Sequence, residues 1–247
     1  MAGPVYDPTR GILNYNPYDN YLEDIFKSGL DYIITHPPAG DWTLTDLNKA
    51  VLDYLDSELD FDTEGFLGGL FETIIPNTVD DFYNNRAINA YRQKAIIVSL
   101  YNGLKVNSIS SLESYFNLAN MKIINSRLSN GDKASLFMAV TITKASYQYW
   151  REKAASPGDW SAFLSANEAI NYVEIPFWIG CSFKGTLSGF AQIQKPLVGG
   201  ATVLNDVGRT AGIISGVTGA LGLTAGKIFF NWAQKPVWYN TSNPVRR

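Results

Sequence analysis

The chain contains few of the residues that most catalytic and metal sites require. Its 247 residues include one cysteine, Cys181, and one histidine, His36. A disulfide within the chain needs two cysteines and a His/Cys zinc cluster needs several ligands, so the composition excludes both. Catalysis by a Cys–His pair would depend on these two residues alone. The apolar sequence around Cys181 is more typical of a buried, unreactive thiol.

Charged residues are also scarce. They make up 17% of the chain, against about a quarter in typical domains, whereas hydrophobic residues make up 46%. This composition excludes a disordered chain and predicts a large buried core. P-loop, dinucleotide-binding, GxSxG and HExxH motifs are absent, and the dispersed Lys and Arg residues carry no nucleic-acid-binding signature. The sequence therefore predicts a protein that is not an enzyme, with no catalytic residues, cofactor, bound metal or nucleic-acid partner.

One acidic stretch partly matches a calcium-binding loop. Asp60, Asp62, Glu64 and Gly65 occupy positions one, three, five and six of the helix–loop–helix pattern. The twelfth position, where that pattern has a bidentate glutamate, is Phe71. An acidic loop interrupted by glycine is the preferred interpretation, and a weak site for a hard cation is the alternative.

Acidic and basic residues are unevenly distributed along the chain. Residues 1–86 contain 16 acidic and 4 basic side chains, whereas residues 87–247 contain 7 and 16. The resulting net charges, −12 and +9, predict that one part lies against the other or that a charged partner binds. The alternative is two solvated faces of one domain.

Apolar residues recur every three or four positions from 18 to 174, the spacing of one face of an α-helix. Thr43, Ser110 and Ser129 are each followed three residues later by an acidic side chain, which predicts three helix starts. Only residues 174–183 are compatible with a strand. The sequence therefore predicts an all-α, multi-helix bundle of roughly seven to nine helices. The stripe expected to be buried is Ile88, Tyr91, Val98 and Tyr101.

Glycine becomes dense between residues 184 and 230, where charges are few. Several of these glycines are four residues apart, a spacing that lets two helix backbones approach closely, as in membrane helix pairs. Trp178 precedes this region and Trp232 and Trp238 follow it, an order that resembles interfacial aromatic belts. We therefore expect an apolar helical hairpin that contacts lipid or another copy of the chain. The predicted residues are Gly208, Gly212, Gly216, Gly222, Gly226, Trp178, Trp232 and Trp238.

These patterns divide the chain into three parts. The proline-rich start predicts an extended arm, and it lacks the basic and apolar regions of a secretory signal. The parts are the arm, residues 1–17; a helical domain, residues 18–183, acidic over 18–86 and basic over 87–183; and the glycine-rich hairpin and tail, residues 184–247.

The segments Leu128–Lys133 and Lys144–Trp150, together with the Gly/Ala-rich tail, carry a resemblance. They resemble uncharacterised secreted bacterial proteins with bacteriocin-like glycine-zipper tails. The resemblance implies export, here without a visible signal peptide, and membrane activity. It supplies no catalytic residues.

The function predicted from these observations is a toxin-like, non-enzymatic helical protein whose tail interacts with a membrane or self-associates. Its expected partners are lipid or other protein subunits, including further copies of itself. The alternative is a structural or assembly subunit that uses the proline-rich arm and the glycine-rich hairpin as subunit contacts.

Overall fold

The computed structural model describes residues 15–18, 21–59, 96, 99–100, 102–103, 111–164, 178–187, 189 and 206–230. Every regular element among them is helical, which confirms the all-α prediction. The bounded helices are α1 (Tyr21–Thr35), α2 (Leu44–Leu59), α3 (Leu112–Ile124), α4 (Asn130–Ala155), α5 (Ser161–Leu164) and α6 (Asp206–Phe230), and a 3-10 turn, Gly158–Trp160, precedes α5. Residues 178–187 are also helical and are called segment 178–187 below.

Two of the three predicted helix starts are confirmed by side-chain caps. Before α2, the Thr43 hydroxyl donates to the Asp46 carboxylate over 2.5 Å, and the Asp46 N–H donates back to Thr43 Oγ1 over 3.2 Å. Before α4, the Asp132 N–H donates to Ser129 Oγ. The third start differs from the prediction at Ser110, because the residue that precedes α3 is Ser111, whose side chain makes no capping hydrogen bond.

α4 lies in the middle of the described bundle. It is 26 residues long and contacts α1, α3 and α6. Its apolar residues at three-and-four spacing, Leu136, Val140, Tyr147 and Trp150, are buried, and so are most of the residues between them. At its start, the buried Lys133 Nζ donates to the Ile124 carbonyl over 2.8 Å. A cation at this position stabilises the C-terminal end of α3, where unpaired carbonyls carry partial negative charge.

Segment 178–187 and α6 run antiparallel and in contact, which confirms the predicted helical hairpin. Later residues of the segment lie beside earlier residues of α6. Three neighbouring pairs establish this direction: Ser182 with Thr224, Gly185 with Gly219, and Gly189 with Ser215. The connection between the two arms falls outside the described residues.

The strand interpretation of residues 174–183 is wrong for its described part, residues 178–183, which is helical. Within it the Ser182 hydroxyl donates to the Trp178 carbonyl over 3.1 Å, one helical turn back. All residues of segment 178–187 are buried. A helix that is covered on all sides has no polar face, and so its sequence lacks the amphipathic period that identifies a surface helix.

α6 is enclosed by the other helices. Every residue from 212 to 226 is buried, and α6 contacts α1, α2 and α4 in addition to segment 178–187. The contact with α1 is close, because an ideal Cβ atom on Gly29 would lie 2.7 Å from Leu221 Cδ1. Tyr54 of α2 lies 2.8 Å from the same Cβ position, whereas Gly216 and Gly219, about half a turn of α6 away from Leu221, face α4 and segment 178–187. α1 and α2 therefore cover one side of α6, and α4 and segment 178–187 cover the other.

One hydrophobic core contains side chains from Tyr18 to Ala225. Helices on both sides of the predicted boundary between residues 183 and 184 contribute to it, and segment 178–187 runs across that position. Several predictions concern residues outside the described ranges: most of the arm, the acidic loop at 60–72, the stripe Ile88, Tyr91, Val98 and Tyr101, and both Trp232 and Trp238.

Candidate functional site

α6 has the length and composition of a membrane-spanning helix. The window Gly212–Phe229 contains 18 residues, includes one charged side chain, Lys227, and is 83% buried inside the fold. At about 1.5 Å per residue it approaches the roughly 30 Å thickness of a bilayer core. The core helix of a soluble protein has the same properties, and among the described residues no second helix does. Segment 178–187, Gly189 and α6 are called the buried hairpin below.

The two arms of the buried hairpin touch through their backbones. An ideal Cβ atom on Gly185 would lie 2.6 Å from the Gly219 carbonyl carbon, and one on Gly219 would lie 2.9 Å from the Gly185 carbonyl carbon. A Cβ atom on Gly189 would lie 2.6 Å from the Ser215 carbonyl carbon. No side chain fits between the arms here, which explains the use of glycine despite its helix propensity, about 1 kcal/mol below that of alanine.

The glycines predicted from the sequence lie in α6, but the backbone contact involves others. Gly212, Gly216, Gly222 and Gly226 are buried, and Gly208 lies near the start of the helix. An ideal Cβ atom on Gly216 would lie 2.5 Å from the Met138 sulfur and 3.4 Å from Thr186 Cγ2. Gly216 therefore faces a flexible side chain of α4 as well as the other arm.

A different spacing could have identified the backbone contact. The small residues of α6 that include Ser215 and Gly219 are separated alternately by three and four positions, which keeps them on one helix face over several turns. This stripe consists of Gly212, Ser215, Gly219, Gly222 and Gly226. Spacing of four between glycines selects Gly212 and Gly216 and omits Gly219, because position 215 is serine.

Hydroxyl groups join three helices beside the glycine contact. Ser182 Oγ lies 2.8 Å from Ser146 Oγ on α4 and 2.9 Å from Thr224 Oγ1 on α6, and all three side chains are fully buried. Thr186 donates to the Ser182 carbonyl over 2.8 Å. Buried hydroxyls satisfied in this way fix the register of the packed helices.

Two other hydroxyls of α6 are buried without a hydrogen-bond partner, those of Ser215 and Thr218. A buried polar group left unsatisfied costs about 1–3 kcal/mol. We therefore expect Ser215→Ala and Thr218→Val each to stabilise the protein by about 1 kcal/mol, a rise in Tm of about 2–4 °C. Calorimetry measures this change. Ser182→Ala is the matched control and should lower Tm, because it removes a hydroxyl that is bonded to its neighbours.

The predicted Trp178 belongs to an aromatic cluster at one end of the bundle. It is 5% exposed, and its ring centroid lies 4.7 Å from that of Trp150. Trp150 contacts Trp160 at 5.1 Å, and Phe229 at the end of α6 stacks on Trp42 at 4.5 Å. Trp160 lies 6.1 Å from Phe229 and so connects the two parts of the cluster. The cluster anchors the end of α6 to α4 and to the connection between α1 and α2.

α1 is joined to α4 by oppositely charged side chains, which confirms for these helices that acidic and basic parts of the chain lie together. Lys144 Nζ is 2.6 Å from Glu23 Oε1, and Lys153 Nζ is 3.0 Å from Asp31 Oδ1. The Glu23 side chain is 9% exposed and that of Asp31 is 52% exposed, so the first pair is the better shielded from solvent.

The second ion pair continues into a buried hydrogen-bond chain. Tyr149 donates its phenol proton to Asp31 Oδ1 over 2.7 Å and accepts from Trp160 Nε1 over 2.5 Å. Burial, followed by the hydrogen bond and the charge of Asp31, raises the pKa of Tyr149 well above its ordinary value. The phenol is therefore a permanent donor, which links α1, α4 and the 3-10 turn.

The two residues considered for nucleophilic catalysis have different surroundings. His36 is exposed at the end of α1, where its ring stacks on Tyr32 at 4.0 Å and its Nδ1 lies 3.0 Å from the Tyr32 carbonyl oxygen. Cys181 is buried, 5% exposed, in segment 178–187. Within the described ranges, no three His, Cys, Asp or Glu side chains converge as a metal site would require.

Comparison of the chain with protein-family models, curated proteins and solved structures found no match. The function must therefore be argued from the buried hairpin and the helices that cover it.

Proposed function

We propose that this chain is a non-enzymatic, membrane-interacting protein whose buried hairpin leaves the bundle and inserts into lipid. The observation that carries the proposal is the position of α6, a helix of membrane-spanning length enclosed by α1, α2, α4 and segment 178–187. A helix that is apolar on all sides is stable in a protein core or in a membrane. The bundle supplies the first environment, and lipid would supply the second.

The internal contacts of the hairpin support its transfer as one unit. Gly185, Gly189 and Gly219 bring the two backbones together without a side chain from any covering helix. In lipid, where the hydrophobic effect no longer drives helices together, close packing of small residues is a main source of association. The contact would then act as a glycine zipper. Export and toxin-like activity, which the resemblance implies, belong to the same proposal.

The contact between Gly29 and Leu221 provides a direct test. An ideal Cβ atom on Gly29 lies 2.7 and 3.0 Å from the two Cδ atoms of Leu221, so cysteine side chains at the two positions would point at each other, and we expect oxidation to cross-link α1 to α6. In a Cys181→Ser background, the oxidised Gly29→Cys/Leu221→Cys protein is expected neither to float with liposomes nor to release an entrapped dye, because α6 cannot leave α1. Reduction should restore both activities to the level of the Cys181→Ser parent.

The single variant Leu221→Cys in the same background is the matched control, because it carries the same truncation without the cross-link. Its flotation and dye release should not depend on the reductant. Equal dye release from the oxidised and reduced double variant would contradict insertion of α6. A parent protein that neither floats nor releases dye with any liposome composition would contradict the membrane function as a whole.

A structural or assembly subunit is the second candidate function. A pair of exposed apolar side chains on α3 favours it, since Leu118 and Met121 are 69% and 53% exposed and lie one turn apart. Asn16 of the arm, in contrast, donates to Asn120 and Thr141 of its own chain. The mass in solution distinguishes the candidates: an oligomer that Leu118→Ser/Met121→Ser converts to a monomer, without any liposome binding, would favour the subunit function.

A further inference from the structure

We infer that residues 21–59 form a detachable acidic cover over α6, and that an anionic lipid surface is the partner that displaces it. The cover comprises α1, α2 and the connection between them. The inference rests on the proposed function, because it explains how the buried hairpin would become accessible. It adds the class of lipid, the part of the fold that moves and the residues that meet the lipid.

The two sides of α6 differ in charge. Residues 21–59 contain eight acidic and two basic side chains, whereas residues 111–164, which include α4, contain four acidic and six basic ones. An anionic surface therefore repels the cover and attracts the remainder of the bundle. A neutral surface does neither, so lipid charge decides whether the two sides separate.

The ion pairs between α1 and α4 are the contacts for which lipid competes. Lys144 and Lys153 are paired with Glu23 and Asp31 of the cover, at 2.6 and 3.0 Å. Phosphate oxygens of anionic headgroups offer the same lysines acceptors of the same charge. The side chains of Lys144 and Lys153 remain 30% and 22% exposed, so a membrane surface can approach them before the pairs break.

A hydrogen bond and a ring contact join α1 to α2, so the cover can move as a unit. The Tyr54 hydroxyl of α2 donates to the Ile25 carbonyl of α1 over 2.5 Å, and both side chains are buried. Tyr32 of α1 also contacts the Tyr54 ring, with centroids 5.5 Å apart. Release of the ion pairs on α1 would therefore carry α2 with it, and both helices would leave the side of α6 that Leu221 faces.

The test breaks the same two ion pairs from opposite sides. Glu23→Gln/Asp31→Asn neutralises the cover, and Lys144→Gln/Lys153→Gln neutralises the basic side. The probe is liposomes of phosphatidylcholine alone or with phosphatidylglycerol, with binding measured by flotation. We expect the lysine variant to bind phosphatidylglycerol liposomes about 30-fold more weakly than the parent. The carboxylate variant should bind them more tightly, and at a lower fraction of anionic lipid.

The design separates lipid recognition from loss of stability. Both double variants lose the two ion pairs between α1 and α4, and Glu23→Gln also removes the longer pair with Lys27 within α1, at 3.9 Å. Simple loosening of the fold would therefore raise liposome binding in both. Asp53→Asn is the matched control, because it removes a carboxylate from the exposed Lys49–Asp53 pair within α2. Asp53→Asn should tighten binding to phosphatidylglycerol liposomes less than Glu23→Gln/Asp31→Asn does.

Two results would overturn the inference: a change of the same sign in both double variants, or equal binding of the parent to neutral and anionic liposomes. Neither result would by itself contradict insertion, which the Gly29–Leu221 cross-link tests independently. Raising the salt from 0.1 to 1 M should abolish the preference for anionic liposomes, because the Debye length falls from about 10 to about 3 Å.

Discussion

Gly219→Ala is expected to destabilise the protein by about 3 kcal/mol, which corresponds to a fall in Tm of about 6–12 °C. The added methyl group would overlap the Gly185 backbone, and its Cβ atom would lie 2.9 Å from the Gly185 carbonyl carbon. A helix backbone cannot turn aside as a side chain can, so the two arms must separate. In an exposed helix the same substitution would stabilise by about 1 kcal/mol.

Gly216→Ala, in the same helix, is the matched control. Its Cβ atom would meet the sulfur of Met138, which rotates about three flexible bonds and can move away. We therefore expect Tm to change by less than about 3 °C, since the gain in helix propensity offsets the repacking of Met138. Thermal unfolding followed by circular dichroism measures both variants. Equal losses would show that general crowding of α6, and not the contact between the arms, limits substitution.

Trp160→Ala is expected to have the second large effect, a loss of about 3–5 kcal/mol in the free energy of unfolding. Trp160 is fully buried and connects Trp150 to Phe229 within the aromatic cluster. Truncation leaves a cavity between α4 and the end of α6 and removes the indole N–H that donates to Tyr149. Urea denaturation monitored by circular dichroism gives the change, because that signal does not depend on the tryptophan that was removed.

Trp160→Phe separates packing from hydrogen bonding. It retains most of the apolar volume but loses the donor to the Tyr149 hydroxyl, which still donates to Asp31 over 2.7 Å. A smaller loss, about 1–2 kcal/mol, is therefore expected. If the phenylalanine variant is as unstable as the alanine variant, the hydrogen-bond chain and not the aromatic packing stabilises this end of the bundle.

The elements with a local signal, either apolar spacing or a capping residue, are the ones that the sequence predicts. α1 shows apolar residues at three-and-four spacing, and its Leu22, Phe26 and Leu30 are fully buried. α2 and α4 also start at their predicted capping residues, Thr43 and Ser129. Such signals are local, since spacing and caps depend on residues within one or two turns.

The hairpin was predicted in outline and missed in detail for a physical reason. Which glycine meets which depends on the register between two arms that are distant in sequence, and spacing within one helix does not specify it. The pairing of Gly185 with Gly219 is a property of how the two arms pack, and the spacing within either arm does not specify it. The sequence predicts a strand at residues 178–183, which are helical, because burial on all sides removes the helical period from the sequence.

Because other helices enclose α6, the core of the protein cannot form until α6 has been synthesised. Gly29 and Leu221 are in contact although they are about 190 residues apart in the chain. On a ribosome, α1 and α2 emerge long before the helix that they enclose, and their apolar faces remain without that partner until about 190 further residues have been synthesised. Contacts between such distant residues form slowly, because a long loop must close before they contribute any stability. Until α6 is in place, the uncovered apolar faces of α1 and α2 are the surfaces through which the nascent chain would aggregate.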